Sequence, residues 1–293
     1  MKQNKSLGLL ICYFGKFPWY FDYFIHSCKY NPTIDFFIVT DDKTYSKSIP
    51  KNVKIVNRTI HDISILATEK LGIPVKINYG YKLCDFKPAY GLIFSELLKE
   101  YDFWGHCDLD IIFGNIRDFI TDELMENYDL ISVRPDWIPG CFLLFKNTTK
   151  MNTLFAHSKD YIKVFTSDRH YCFDETNFAH DAFTDGKLYH QVDTEIESMM
   201  HVIKRLEGDG FINPYFDLFI IEGIPGKLKW ENGIMTYRNK YEILLYHLIR
   251  LKKNYKPKKK INYIPDTFTI SPTRIYHQSK SKIVANPPKL IVE

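Results

Sequence analysis

The sequence has no apolar run approaching the ~18 residues that a membrane span requires, which argues against a transmembrane helix. Its six cysteines, at positions 12, 28, 84, 107, 141 and 172, include no C-x-x-C pair. That spacing argues against a disulfide framework or a zinc site, and for reduced thiols in a cytoplasmic protein. Internal repeats and long low-complexity stretches are missing too. The start, Met1–Lys5 followed by Leu7–Phe14, superficially mimics a signal peptide. The apolar run is short, ends in Gly15-Lys16-Phe17-Pro18 and lacks a small-residue cleavage site, so it reads as a buried first strand. Acidic residues are absent from Arg250–Lys260, which holds seven basic ones. Only Tyr255 is aromatic there, which does not give the interleaved aromatic and basic pattern of a nucleic-acid-binding surface.

Charge is unevenly placed. From His247 to Glu293 there are 11 Lys/Arg and 2 Asp/Glu, leaving 28 basic and 33 acidic residues in the first 246. The body is mildly acidic and the tail strongly basic, which implies an anionic partner for the tail. One reading is a solvated face. The other is a contact with anionic lipid headgroups, at about 1 kcal/mol per basic residue, on the inner face of the membrane. Aromatics make up 16% of the chain, and coding bias accounts for that as readily as sugar stacking does.

A chain of 293 residues fits one large α/β domain with an appendage. Continuous apolar runs at Leu7–Phe14 and Ile34–Thr40, with Val53–Val56, predict parallel strands buried on both faces. Pro18–Cys28 predicts a helix between the first two. Pro88 is placed to open a helix with Ala89, Leu92, Ile93 and Leu97 along one face. Phe103–Cys107, Asp129–Val133 and Cys141–Phe145 predict further strands, and Glu242–Arg250 reads as either a short helix or a strand. The alternation argues for a mostly parallel sheet flanked by helices, followed by an α+β half rich in Pro and Gly. Divisions are expected at residues 1–135, 136–250 and a basic extension over 251–293.

Chemistry concentrates in Trp104-Gly105-His106-Cys107-Asp108-Leu109-Asp110. Two carboxylates one residue apart at a strand end share a hard divalent cation, Mg²⁺ or Mn²⁺, which in turn neutralises a diphosphate. The apolar strand before them and Ile111-Ile112-Phe113 after them argue against a simple exposed turn. Cys172-Phe173-Asp174-Glu175 offers a carboxylate, Asp174 or Glu175, to take a proton from an acceptor hydroxyl. Trp137-Ile138-Pro139-Gly140 reads as a lining for a sugar pocket, through Trp137 and Gly140, or as a packed turn. Two other classes compete. In an aspartyl phosphohydrolase, Asp108 would be the nucleophile and Asp110 the acid/base, but position 112 is Ile where that superfamily usually has Thr or Val. In a non-enzymatic anion- or nucleic-acid-binding module, the basic tail would carry the function.

The segments Lys82–Gly91 and Tyr101–Asp110, with Cys12-Tyr13-Phe14-Gly15 and Thr40-Asp41-Asp42 before them, resemble the GT-A superfamily of glycosyltransferases. The likeness is greatest to bacterial enzymes of surface-polysaccharide and lipopolysaccharide assembly, and spans residues 5 to 150. It implies a hexosyltransferase using a nucleotide diphosphate sugar, UDP favoured, and a saccharide or lipid-linked acceptor. It further implies that Tyr13, Phe14 and Gly15 hold the nucleoside and that Asp41 or Asp42 bonds its base or ribose. Asp85 and Lys87 would serve the nucleotide sugar, Lys87 by meeting a phosphate. His247 would complete the metal site with Asp108 and Asp110, and Lys252 and Lys253 would meet the diphosphate.

Overall fold

A computed structural model describes residues 5–223, 226–257 and 263–277. Seven strands build the main sheet: β1 (Leu7–Cys12), β2 (Ile34–Thr40), β3 (Val53–Asn57), β4 (Phe103–Cys107), β6 (Leu130–Ser132), β7 (Phe142–Lys146) and β8 (Pro214–Phe216). Their order is β3-β2-β1-β4-β7-β6-β8, and β7 alone runs against the others. The protein is therefore a mixed α/β fold around a mostly parallel sheet.

Strand periodicity explains why both faces are covered. Leu7, Leu9 and Ile11 of β1, with Ile34, Phe36 and Ile38 of β2, pack beneath helix α1 (Phe21–Lys29) through Phe21, Phe24, Ile25 and Cys28. The intervening Leu10, Phe37 and Val39 face Ile63 and Ala67 of helix α2 (Ile60–Leu71), while α3 (Met199–Gly208) completes that second layer. Helix α2 starts where Thr59 and Asp62 form a reciprocal capping box, and it ends at Gly72 in the left-handed conformation.

Two smaller sheets attach. In the first, β5 (Ile111–Phe113) pairs antiparallel with β13 (Leu245–His247), which pairs parallel with β9 (Ile220–Glu222). The second is an antiparallel sheet of β10 (Leu228–Glu231), β11 (Ile234–Tyr237), β12 (Tyr241–Glu242), β14 (Thr267–Ile270) and β15 (Ile275–His277). Asn232 and Gly233, with φ of 50° and 91°, make the two-residue turn between β10 and β11. Such a turn demands positive φ at both positions, which Asn and Gly tolerate. Trp230 ties the two small sheets together, donating from Nε1 to Phe113 O at 2.8 Å and stacking on Phe268.

One expectation needs correction. Pro88 does not open a long helix; it lies inside a 3₁₀ stretch, Gly80–Ala89, followed by two single turns, Tyr90–Ile93 and Ser95–Leu98. Those turns are buried on most sides, through Tyr90, Gly91, Ile93, Phe94 and Leu98, so one amphipathic stripe does not describe them. Within Glu242–Arg250, read as a short helix or a strand, the strand alternative is found at β13, Leu245–His247. Beyond residue 250, β14 pairs along β10, and Leu251, Ile264 and Phe268 share one core with Tyr246. Among the described residues no helix is long and apolar enough to cross a membrane. Lys258, Lys259 and Lys260 of the basic run lie outside the described residues.

Candidate metal centre

The order of the main sheet reverses at β1: the chain moves outward through β2 and β3, then returns to place β4 on the other side. Ligands of open α/β sheets bind beyond the carboxyl ends of the strands at such a point. Here those ends lead into Tyr13-Phe14 after β1 and Asp108-Leu109-Asp110 after β4. The backbone N–H of Asp108 donates to Cys141 O at 3.0 Å, fixing the turn. Leu109 is buried in the core, and Asp108 and Asp110 both line a cleft of about 310 Å³ with Cys12, Tyr13, Phe14, Tyr20, Tyr81, Lys87 and Lys252. A larger groove of about 1050 Å³, around His26, Lys29, Lys51 and Tyr263, lies away from these carboxylates.

The small sheet brings in the histidine. Register pairs His247 of β13 with Ile111 of β5 and with Glu222 of β9, and Leu248 N donates to Asp110 O at 2.8 Å. Consequently His247 Nε2 lies 3.2 Å from Asp110 Oδ2 while its Nδ1 lies 2.7 Å from Glu222 Oε1. The other oxygen of Glu222 accepts from Arg134 Nη1 at 2.7 Å, and Arg134 is gripped on its far edge by Asp136. Donor atoms of Asp108, Asp110 and His247 all lie within 4.8 Å of one another. Carboxylate, carboxylate and imidazole, with the imidazole oriented from behind by a carboxylate, form a donor set that fits a divalent cation.

Side-chain cations occupy this acidic centre. Lys252 Nζ donates to Asp110 Oδ2 at 2.5 Å, and Lys87 Nζ donates to Asp108 Oδ1 at 2.7 Å and to Gly140 O at 2.8 Å. Burial alone would raise the pKa of Asp110, but His247 and Lys252 outweigh it and hold this carboxyl well below the usual range. Glu222 is likewise held down against burial by His247 and Arg134. Burial opposes charge on His247, yet Cys141, Asp110 and Glu222 push the imidazole well above its ordinary value. The Cys141 thiol is itself pushed up to about 12 by burial, so at neutral pH it is uncharged and the two carboxylates carry that effect. Lys87 is buried but is held above its usual range, chiefly by Asp108.

The family model of DUF6625, described as a family of unknown function, matches residues 9–279. The chain belongs to this family. No curated protein matches the sequence.

In this DUF6625 chain the residues expected at the cleft separate into two groups. Asp108, Asp110, His247, Lys87 and Lys252 converge, and Tyr13 and Phe14 form the adjoining wall. The remainder lie elsewhere. Asp85 is fully buried and pairs with Lys82 at 2.8 Å, accepting also from the backbone N–H of Tyr171 and Phe173; it braces a loop and does not border the cleft. Asp41 accepts from Gly15 N, and Asp42 from Phe17 N and Thr44 N, so both shape the turn after β1. Lys253 is exposed on the outside of the turn Leu251–Asn254. Trp137 carries Arg134 over its ring and donates to Thr184 Oγ1, away from the cleft lining.

Asp174 and Glu175, expected to meet an acceptor, are packed behind Lys87. Asp174 is 3% exposed, and burial pushes its carboxyl well above the usual range against the pull of Lys87 at 3.6 Å. Both oxygens of Glu175 are engaged, Oε1 by Gly140 N at 2.5 Å and Oε2 by His180 at 2.8 Å. A methyl group at Gly140 would stand 2.5 Å from Asp174 Oδ2 and 2.9 Å from Glu175 Oε1. Gly140→Ala is therefore expected to destabilise the fold by about 1–3 kcal/mol, the range for overpacking, measured by urea unfolding. An unchanged midpoint would mean the two carboxylates yield freely.

Glu222, Arg134 and Cys141 were not expected at the centre. The signal was present for Glu222: Ile220-Ile221-Glu222 before Gly223 repeats the pattern of an apolar strand ending in an acid.

Proposed function

We propose that the chain is a metal-dependent glycosyltransferase of the GT-A type, transferring a hexosyl group from a nucleotide diphosphate sugar to a saccharide or lipid-linked saccharide. The observation that carries this reading is the convergence of Asp108, Asp110 and His247, flanked by Lys87 and Lys252, at the carboxyl ends of β1 and β4. The same ends resemble the GT-A motifs in sequence, so geometry and resemblance agree on one place.

Asp108, Asp110 and His247 would hold Mg²⁺ or Mn²⁺, which when bound neutralises the diphosphate and stabilises the charge on the departing nucleotide. Glu222 keeps the His247 ring turned so that Nε2 faces Asp110. Lys252 reaches Asp110 from the cleft rim, 31% exposed, and is free to exchange that carboxylate for a phosphate oxygen. Lys87, anchored on Gly140 O, supplies a second positive charge beside Asp108. Tyr13 and Phe14 give an aromatic wall suited to a nucleobase.

Thermal unfolding with UDP, GDP or CDP, with and without Mn²⁺, tests this. Binding to the native state alone raises stability by mass action, about 2.7 kcal/mol at a hundredfold excess over Kd. A nucleotide diphosphate with Mn²⁺ is expected to raise Tm by several degrees, UDP the most, while either component alone does much less. No response to any of the three with metal would overturn the reading.

A further inference from the structure

The loop from Tyr171 to His180 carries a second cluster, with donors softer than those of the acidic centre. Cys172 Sγ lies 3.2 Å from Glu175 Oε2 and 3.8 Å from His180 Nε2, and those two atoms lie 2.8 Å apart. A point roughly 2.0–2.3 Å from all three therefore exists, matching Zn–O, Zn–N and Zn–S bond lengths. We infer that Cys172, Glu175 and His180 bind a zinc ion. Thiolate with imidazole and carboxylate selects zinc over the harder Mg²⁺ and Mn²⁺.

The surroundings are built to hold such a set. Cys172, Asn177 and Phe178 all adopt positive φ, at 51°, 53° and 67°, a conformation that non-glycine residues adopt sparingly. The bend brings Cys172 and His180 onto Glu175. It is held from outside by Asn177, which donates to Tyr171 O at 2.7 Å and accepts from Glu195 N at 2.9 Å. Asp85, receiving the backbone N–H groups of Tyr171 and Phe173, clamps the near side. Gly140 N holds Glu175 Oε1, which leaves Oε2 aimed at the cluster, as ligating carboxylates are held by outer partners. The Trp137 ring stands edge-on to His180 at 4.6 Å and fixes its plane.

Access follows from exposure: Cys172 is 4% exposed, while the His180 and Glu175 side chains are 31% and 21% exposed. The ion enters from the solvent side and keeps its fourth position open there, as three-ligand zinc sites do. Binding displaces the thiol proton to solvent, so affinity falls with pH. The site does not depend on the glycosyltransferase reading. The other thiol cluster, Cys141 with Glu222 and His247, is not separate from the acidic centre, because His247 Nε2 lies 3.2 Å from Asp110 Oδ2.

The test uses the full chain, stripped with a chelator and titrated with Co²⁺ alone, then with Zn²⁺ in competition. One equivalent of Co²⁺ should produce a thiolate-to-cobalt charge-transfer band that Zn²⁺ abolishes. Cys172→Ser should remove the band, whereas Cys141→Ser and Asp110→Asn should keep it. His180→Ala, at a partly exposed position, should weaken Zn²⁺ binding at least about tenfold, since even an outer-shell loss costs that much. This variant decides the matter should Cys172→Ser not fold. The proposal is overturned by the absence of a thiolate band in the native chain, by a band lost with Cys141→Ser but kept with Cys172→Ser, or by undiminished Zn²⁺ affinity in His180→Ala.

Discussion

Asp110→Asn should abolish the stabilisation by UDP with Mn²⁺ and reduce Mn²⁺ affinity at least about a hundredfold. A lost outer-shell partner already costs 10–100-fold, and Asp110 is placed as a direct ligand. The isosteric amide is preferred to alanine because Asp110 is only 4% exposed and receives both Lys252 and His247. Truncation would leave the buried His247 and the partly exposed Lys252 without their shared counter-charge, mixing a folding defect with a binding defect. Isothermal titration with Mn²⁺, alongside circular dichroism melting in the absence of ligand, separates the two effects. Glu222→Gln should fall between wild type and Asp110→Asn, because it loosens the hold on His247 without removing a ligand. Retention of the UDP and Mn²⁺ response in Asp110→Asn would remove the carboxylate from the metal centre.

The second large effect concerns stability and lies away from that centre. Lys82 and Asp85 form an ion pair at 2.8 Å with both side chains 0% exposed. Lys82 Nζ also donates to Val164 O and Arg169 O, so all three of its donors are used. Asp85→Asn would leave the ammonium buried without its counter-charge, whereas Lys82→Met would leave the carboxylate only His170 and the backbone N–H groups of Tyr171 and Phe173. Breaking a buried pair on one side costs about 3–5 kcal/mol. At roughly 2–4 °C per kcal/mol for a chain of this order, Tm should fall by about 6–20 °C. The pH dependence has a definite sign. Burial works against the Asp85 carboxylate, but His170 and Lys82 lower its pKa overall. Its stabilisation is then complete above the unfolded carboxylate pKa of about 3.9 and is lost as pH falls through the lower folded value. The gap between wild type and Asp85→Asn should therefore be full at neutral pH and close in acid. An Asp85→Asn variant with native Tm at pH 7 would show that the pair is dispensable.

The main sheet was legible where its strands are continuous apolar runs, but not at β8, whose opening Asn213-Pro214 reads as a loop. Ile34–Thr40 and Phe103–Cys107 have the bounds read from sequence, and β1, β3, β6 and β7 differ by no more than two residues at either end. Asp108 and Asp110 were legible from the strand end that carries them, whereas Lys87, His247 and Lys252 followed only from the resemblance to GT-A enzymes; the structure brings the five together. What was not legible depends on register. Nothing local to Glu222 shows that β9 lies parallel to β13, which is what puts it behind His247. Asp85 looked like a site residue from its place beside Lys87. Only the packing of Lys82, three residues earlier, and of Tyr171 and Phe173 reveals it as a brace. Asp174 and Glu175 read as a carboxylate pair in an aromatic loop, but Gly140 lies so close that Asp174 is buried and Glu175 Oε1 is held by the Gly140 N–H.

The pairing of β5 with β13 has a consequence for when the protein becomes competent. Strands β1 to β4 supply two of the cleft's walls from the first 107 residues, but the partner of Asp110 arrives from residue 247. During synthesis, at about 5–20 residues per second, the leading strands and helices emerge well before β13 can close on β5. Until then Asp108 and Asp110 project from an incomplete edge, lacking His247, Lys252 and the β9 strand that orients the ring. Side-chain period in a strand is two, so docking β13 one residue out of step would turn His247 away and aim Tyr246 or Leu248 at Asp110. The candidate centre is thus assembled late and in a single admissible register, and a chain halted before β13 would carry most of the main sheet without His247 and Lys252 beside Asp110.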